Sequence, residues 1–369
     1  MGVFDRLFTR AAAPSQPVYL TAGYPLLPYG VTPESVLGLS AVWRCLQILS
    51  DSVALLPWQE WQGTMPVPNS PLVTRPYEPI TRRQWTAEVV ISLALYNVAY
   101  LWAVDGQLVP VPNRLILPGT TASTLVPPTS YMIGSQEVPA TDIRVLRRMP
   151  FPGLAASASS PVNIARSLFS AMLASDSYVA RYWAAGGSPV TLLKADQPLT
   201  QPQAEAVRTS WQNARSMGPD YPAVLDAGLD ASPFGADPTA ETATLARRDM
   251  IADVARLFGV PIRMLESAVA GASNTYINAE LSGLELVRGT LSGYVQIIED
   301  AITDELNGTQ MLMNTDPLTK PVQLTRFESY QIALQNGFMT VDEVRAEEGL
   351  PPLEPSAASL APTLNEVPV

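Results

Sequence analysis

The chain has 369 residues, of which 47% are hydrophobic and only 15% charged, and a formal net charge of −11. That length allows two or three compact units, and so lean a charge content implies large subunit contacts. The absence of histidine and the single cysteine, Cys45, exclude Ser-His-Asp and Cys-His triads, His-ligated metal sites and an intrachain disulfide, while the acidic balance excludes a tight sequence-specific DNA binder.

The opening MGVFDRLFTR is short and amphipathic, and AAAPSQP breaks it. It lacks the apolar run of a secretory signal, and Arg6 stands where myristoylation needs Ser or Thr. Residues 34–56 are predicted as one helix with Val42, Leu46, Leu49 and Val53 on a face, ended at Pro57-Trp58 and followed by a short strand. Residues 81–104 approach the length of a membrane span, but Glu88 and Asn97 inside them are costly in hydrocarbon. The expectation is a core helix over 82–95 and a strand over 97–104, with a turn at Asp105-Gly106. Several short strands follow within 107–149, among them a 129–133/136–146 hairpin.

Ser160 before Pro161 marks a helix start, and no breaker follows until Gly186-Gly187. At about 1.5 Å per residue this rod is roughly 37 Å long. It is apolar nearly all round, so Leu168, Phe169, Tyr178, Tyr182 and Trp183 are predicted to pack against copies of the same helix in neighbouring subunits. The insert at 188–238 reads as β-α-β-β: a strand at 188–195, a helix from Thr200 to Gly218 carrying Arg208 and Arg215, and strands at 222–226 and 229–234. A second helix returns from near Asp237-Pro238-Thr239 to Gly259. After the loop LESAVAGASNTY comes a long helix with Gly283, Gly289 and Gly293 inside it, where a kink or close backbone contact is expected. The chain closes with a strand, a helix stopped at Gly337, and a short helix with a Thr340/Glu343 capping box. Residues from about 355 read as disordered.

Helix–insert–helix followed by IADVARLFGVPIRMLE resembles the portal proteins of long-tailed double-stranded-DNA phages. Arg44-Cys45 with Leu56-Pro57, Asn97 with Tyr100, and Asn336-Gly337 through Thr340, Glu343 and Arg345 to Gly349-Leu350-Pro351-Pro352 match further blocks of that family. Its usual Gly-x-Ser-Pro is here Ala158-Ser159-Ser160-Pro161, without the glycine, and the family's proline in the long helix is replaced by Ser292-Gly293. The resemblance covers about 34–355 and implies an α+β portal fold assembled as a ring, usually of twelve subunits. The implied parts are an N-terminal arm (1–25), a wing (26–160 and 277–325), stem helices (161–187 and 239–261), a clip (188–238), a tunnel loop (262–276), a helical crown (326–355) and a tail (356–369).

The implied function is a DNA channel at one capsid vertex of the virion, assembled in the host cytoplasm. Its partners would be double-stranded DNA, the large terminase subunit, the head–tail adaptor and the major capsid protein. By the same resemblance Ser267, Ala268, Ala270, Gly271, Ala272, Ser273 and Asn274 face the DNA, and Arg208 and Arg215 face clip partners. A twelve-subunit ring would carry a charge of about −130. No P-loop motif is present, and neither catalytic residues, metal nor cofactor are expected. Two other readings are kept: a carboxylate-dependent cell-wall hydrolase drawing on the acid clusters Glu299-Asp300 with Asp304-Glu305 and Glu347-Glu348, tested at Glu299 or Asp304, and a membrane-anchored protein using 86–104.

Overall fold

The computed structural model describes residues 30–119, 128–151, 158–184, 190–195, 199–216, 229–234, 241–265, 283–319 and 323–353. They form two compact units, one built from the described residues up to 265 with 285–314, the other from 283–284 with 315–353.

The first unit begins with two helices, α1 (Pro33–Val36) and α2 (Ser40–Ala54), where the sequence predicted one. Thr32 and Ser35 form the capping box that starts α1; the helix ends at Leu37, whose N–H returns to the Glu34 carbonyl, and Leu39 takes an extended conformation before α2 begins. Val42, Leu46, Leu49 and Val53 of α2 are buried as expected. Cys45 is buried among them, and burial pushes its thiol up to about 12, so it behaves as a small apolar residue.

Strand β1 (Trp58–Gln62) pairs with β2 (Met65–Val67), and α3 (Pro71–Thr74) follows. Helix α4 (Arg82–Tyr96) packs on α2 and starts with a Thr81/Gln84 capping box. Trp85 of α4 is fully buried; its indole N–H donates to the Leu108 carbonyl at 2.7 Å, and its ring meets Trp58 edge-on at 5.9 Å. Strands β3 (Val98–Val104) and β4 (Gln107–Val111) form the predicted hairpin, with Asp105 and Gly106 both at positive φ. Among the described residues no helix is long and apolar enough to cross a membrane.

Strands β5 (Ile116–Pro118), β6 (Ser130–Ile133) and β7 (Gln136–Pro139) make a small antiparallel sheet. The predicted second arm, 136–146, is divided. Pro139 offers no N–H to continue the ladder, a single 3₁₀ turn follows, and β8 (Ile143–Arg147) leaves to pair with β3. Trp102, Val111, Ile116, Tyr131, Ile133, Val138 and Ile143 form one apolar cluster shared by the two sheets.

Helix α5 (Pro161–Ile164) is capped by Ser160, and α6 (Arg166–Ala184) continues from it. The predicted unbroken rod is interrupted at Ala165, which leaves helical geometry at φ −94°, ψ 29°. Strand β9 (Val190–Ala195), helix α7 (Gln201–Ser216) and strand β10 (Leu229–Phe234) follow, with β9 and β10 antiparallel. The predicted strand at 222–226 lies outside the described residues. Helix α8 (Glu241–Phe258) returns and touches α6 and α2.

The long helix is described from residue 283 and carries a π-helical turn at Val287–Leu291 before α9 (Ser292–Thr303). A π-turn is the device by which it departs from a straight α-helix, in place of a kink at glycine alone. Strand β11 (Gln310–Met313), which the sequence did not suggest, pairs antiparallel with β1, Trp58 facing Met313. The Glu60 carboxylate pins this junction, accepting from Thr309 Oγ1 at 2.6 Å and from the Ser70 N–H at 2.7 Å. Burial alone would raise its pKa, but these hydrogen bonds outweigh it and hold the carboxyl below its ordinary range.

The second unit contains α10 (Asp316–Thr319), α11 (Gln323–Gln335) and α12 (Val341–Glu347). Gln323 and Leu324, predicted within a strand, are helical. Gly337 at φ +70° ends α11, the Phe338 N–H returning to the Ala333 carbonyl, and the Thr340/Glu343 capping box starts α12 as predicted. An ion pair, Arg326 to Glu348, joins α11 to the end of α12, with a hydrogen bond from Nη2 at 2.9 Å.

One residue holds several of the first unit's elements together. Asn97 caps α4 in the left-handed conformation and is 3% exposed. Its amide donates to the Met149 carbonyl at 2.7 Å and to Ser159 Oγ at 2.9 Å, and accepts from the Met149 N–H at 2.8 Å. Asn97→Ala leaves those buried groups unpaired and places a Cβ-only residue in the left-handed region. We expect it to cost about 3 kcal/mol, read as a shift in the urea midpoint.

Glu299 gives a pH test of opposite sign to Glu60. Burial pushes its carboxyl above the ordinary range, a bond from the Met313 N–H partly offsets this, and Asp300 adds to it. A group raised in the folded state stabilises when protonated, and that contribution is lost as pH rises through the raised value. Glu299→Gln keeps an oxygen for Met313 and has no charge to bury. Its urea midpoint relative to the wild type should therefore rise between about pH 4 and about pH 7.

Candidate functional site

Two features stand out as functional surfaces. The first is the place where α8 ends and residues 266–282 begin. Gly259 sits at φ +70° and the Val260 N–H returns to the Ala255 carbonyl, a Schellman ending that turns the chain sharply. The turn rests on the π-turn of the long helix: Thr290 Oγ1 donates to the Gly259 carbonyl at 2.5 Å. A Cβ on Gly259 would lie 2.6 Å from that same oxygen, so only glycine fits. An ion pair from Arg263 to Glu285, at 3.4 Å, bridges the two sides of the undescribed segment. The candidate DNA-facing residues Ser267, Ala268, Ala270, Gly271, Ala272, Ser273 and Asn274 lie outside the described residues; what the structure describes is the base that carries them.

Beneath this base lies Arg148, the residue after β8. Its guanidinium stacks on the Tyr294 ring at 4.5 Å and donates to the Thr290 carbonyl at 3.1 Å. Gly293 makes room for it, since a Cβ there would come within 2.7 Å of Arg148 Nη1. Burial pushes the Tyr294 phenol above its ordinary value, and the nearby guanidinium pulls the other way. Sequence reading marked Gly293 as a position needing explanation but missed Arg148 and Thr290. Neither belongs to a recognisable motif, and their pairing spans 142 positions of sequence.

The second feature is the surface of α6 and α8. The end of α6 next to α5 is anchored, with Phe169 fully buried and Met172 and Ser170 buried beside it. Phe169 was expected at a subunit interface; it belongs instead to this chain's own core and is removed from that set. Leu168 is half-buried, whereas Tyr178 and Trp183, further along, are exposed, Trp183 by 60%. Leu245 on α8 is exposed as well. The side chain of Tyr182 lies outside the described residues. Asp176 and Arg247 pair at 3.0 Å between the two helices, a surface contact of small stabilising value.

On α7, Arg208 is exposed, and the side chain of Arg215 is not among those described. The carboxylates singled out as catalytic candidates are occupied structurally in part. Glu299 accepts from the Met313 N–H at 2.6 Å and fixes the end of β11, and Glu305 pairs with Arg144 on β8. Glu348 is taken by Arg326. Among the described residues no group of three His, Cys, Asp or Glu side chains is placed to hold a metal ion.

Comparison with known proteins agrees with this architecture. The family model described as phage portal protein matches residues 40–349. A probable portal protein of Streptomyces phage phiC31 is 24% identical over 95% of this chain and 83% of its own length. The portal protein of Enterobacteria phage HK97 is 22% identical over 88% of this chain and 81% of its own. Among solved structures, an HK97-family phage portal protein from Corynebacterium diphtheriae superposes with a TM-score of 0.59 at 16% identity, covering 79% of this chain and 99% of that one. A chain from the neck of an empty gene transfer agent particle gives a TM-score of 0.58 at 17% identity, covering 90% of this chain and 97% of that one. A family match over most of the chain, on a fold shared with solved portals, shows that this chain belongs to the phage portal protein family.

Proposed function

We propose that the chain assembles as a ring at one capsid vertex of the virion and forms the channel through which double-stranded DNA enters and leaves the head. The observation that carries the ring is the outer half of α6, where Tyr178 and Trp183, with Leu245 of α8, present apolar surface that a single protomer leaves in water. A neighbouring copy covers it, each subunit offering one face of its helix pair to the next in a closed cycle. Twelve subunits is the favoured count; a related neck was reconstructed with C12 symmetry.

In this reading the first unit supplies the stem, the clip and most of the wing, and the second supplies the crown with the rest of the wing. Residues 262–276 are the tunnel loop, and the small uncharged side chains at 267–274 offer a moving phosphate backbone little to hold. With a net charge of −11 per subunit, the ring repels DNA rather than binding it, which keeps passage non-specific and reversible. The protein is passive: the large terminase subunit docks on the clip and supplies the energy, then yields the same surface, including Arg208 and Arg215, to the head–tail adaptor. Assembly takes place in the host cytoplasm beside the major capsid protein.

Native mass spectrometry with negative-stain imaging of the purified chain tests the ring. Particles of around twelve subunits with a central hole are expected, and a monomer of 39.7 kDa at working concentration would overturn the reading. The double variant Trp183→Asp, Leu245→Asp should shift the population to monomers with an unchanged far-ultraviolet circular dichroism spectrum, because both side chains are exposed in the single chain. Deleting 267–274 should spare ring assembly and lower the DNA content of particles; normal genome content would count against a DNA-facing role for that loop.

A further inference from the structure

A continuous set of hydrogen bonds joins the entry of the first long helix to the exit of the second, although the two points are a hundred residues apart in sequence. At one end Ser160 caps α5, and the neighbouring Ser159 accepts from the Asn97 amide. Asn97 holds Met149 by two bonds and accepts from the Arg148 N–H through its own carbonyl at 3.2 Å. Arg148 reaches on to the Thr290 carbonyl, and the Thr290 hydroxyl donates to Gly259, where α8 ends.

We infer that Arg148 and Thr290 form a latch that fixes the end of α8 against the entry to α5 and α6, and are positioning residues for the DNA channel. Three features favour a dedicated device over incidental packing. The π-turn at Val287–Leu291 sits where Thr290 is presented on both sides at once, its carbonyl to Arg148 and its hydroxyl to Gly259. Two glycines, Gly259 and Gly293, are needed for the two contacts, each accepting the helix cost of glycine or a positive φ to admit a polar partner. The guanidinium lies over the Tyr294 ring at 4.5 Å while its Nη2 donates to the Thr290 carbonyl, a pair of contacts suited to the forked donors of arginine. The latch ties the two helix ends together, so a displacement at one is carried to the other through groups with fixed bonding geometry. Its role in DNA passage rests on the portal reading; its existence as a latch does not.

The test uses hydrogen exchange read by mass spectrometry on the full chain. Gly293→Ala removes a mid-helix glycine, and a helix considered alone should become more protected. The latch predicts the opposite nearby: the new methyl displaces the Arg148 guanidinium, and peptides covering 259–265 exchange about tenfold faster. Thr290→Val should do the same and Thr290→Ser should restore protection, since serine keeps the hydroxyl. The Gly293→Ala, Thr290→Val double variant should be no faster than the faster single variant, because both break one chain of contacts. Unchanged exchange at 259–265 in Thr290→Val, equal acceleration in peptides from Trp58–Gln62, or additive effects would each overturn the latch. Particles carrying Thr290→Val should lose packaged DNA faster than wild type; full retention despite faster exchange overturns the functional half while leaving the latch. Failure of the wild-type chain to form rings overturns the portal reading instead.

Discussion

The buried amide of Asn97 is the constraint on which the first unit turns. A helix that must end and give way at once to a strand needs a residue tolerant of positive φ, and asparagine meets this without the entropy cost of glycine. Buried, the same side chain must satisfy a donor and an acceptor, and both are supplied by segments remote in sequence, Met149 and Ser159. One residue therefore fixes the α4–β3 corner, the end of β8 and the entry to α5.

From that corner the architecture divides into a region that is packed and one that is left open. Around α2, α4 and the β3 sheet, Trp58, Trp85 and Trp102 are buried, the Trp85 indole N–H is paired with the Leu108 carbonyl, and the Glu60 carboxylate is held by hydrogen bonds. Along α6 and α8 the apolar residues divide by position. Phe169, Val254 and Phe258 are enclosed, whereas Tyr178, Trp183 and Leu245 are in water. A hydrophobic surface of that kind on a helix pair is the mark of an element built to be completed by another chain. The low charge content and acidic balance fit the proposed ring, in which apolar faces would meet and the interior field would repel phosphate.

The carboxylates show how much of a side chain's role depends on partners that residue type does not reveal. Acidic pairs on a long helix gave the only enzyme reading that needs no histidine. In the fold Glu299 serves as an acceptor for a strand N–H, and Glu305 and Glu348 are paired with arginines. These are structural tasks, and each requires a partner from a distant segment that spacing in the sequence does not reveal.

The sequence by itself determined whatever depends on neighbours a few residues apart. The capping boxes at Thr81 and Thr340, the Asp105-Gly106 turn, the Gly337 stop and the order of helices around the insert are local, because caps and turns are closed by bonds spanning three to five residues. Motifs such as IADVARLFGVP carried the family for the same reason. Tertiary structure decided the rest. It broke the first helix at Leu39 and the rod at Ala165, sent β8 to a different sheet from β7, and recruited Gln310–Met313 as a partner for β1. It also placed Phe169 in the core rather than at an interface, and brought Arg148, Thr290 and Gly259 together. Those outcomes follow from which surfaces meet, and a buried polar group takes whichever partner the packing delivers.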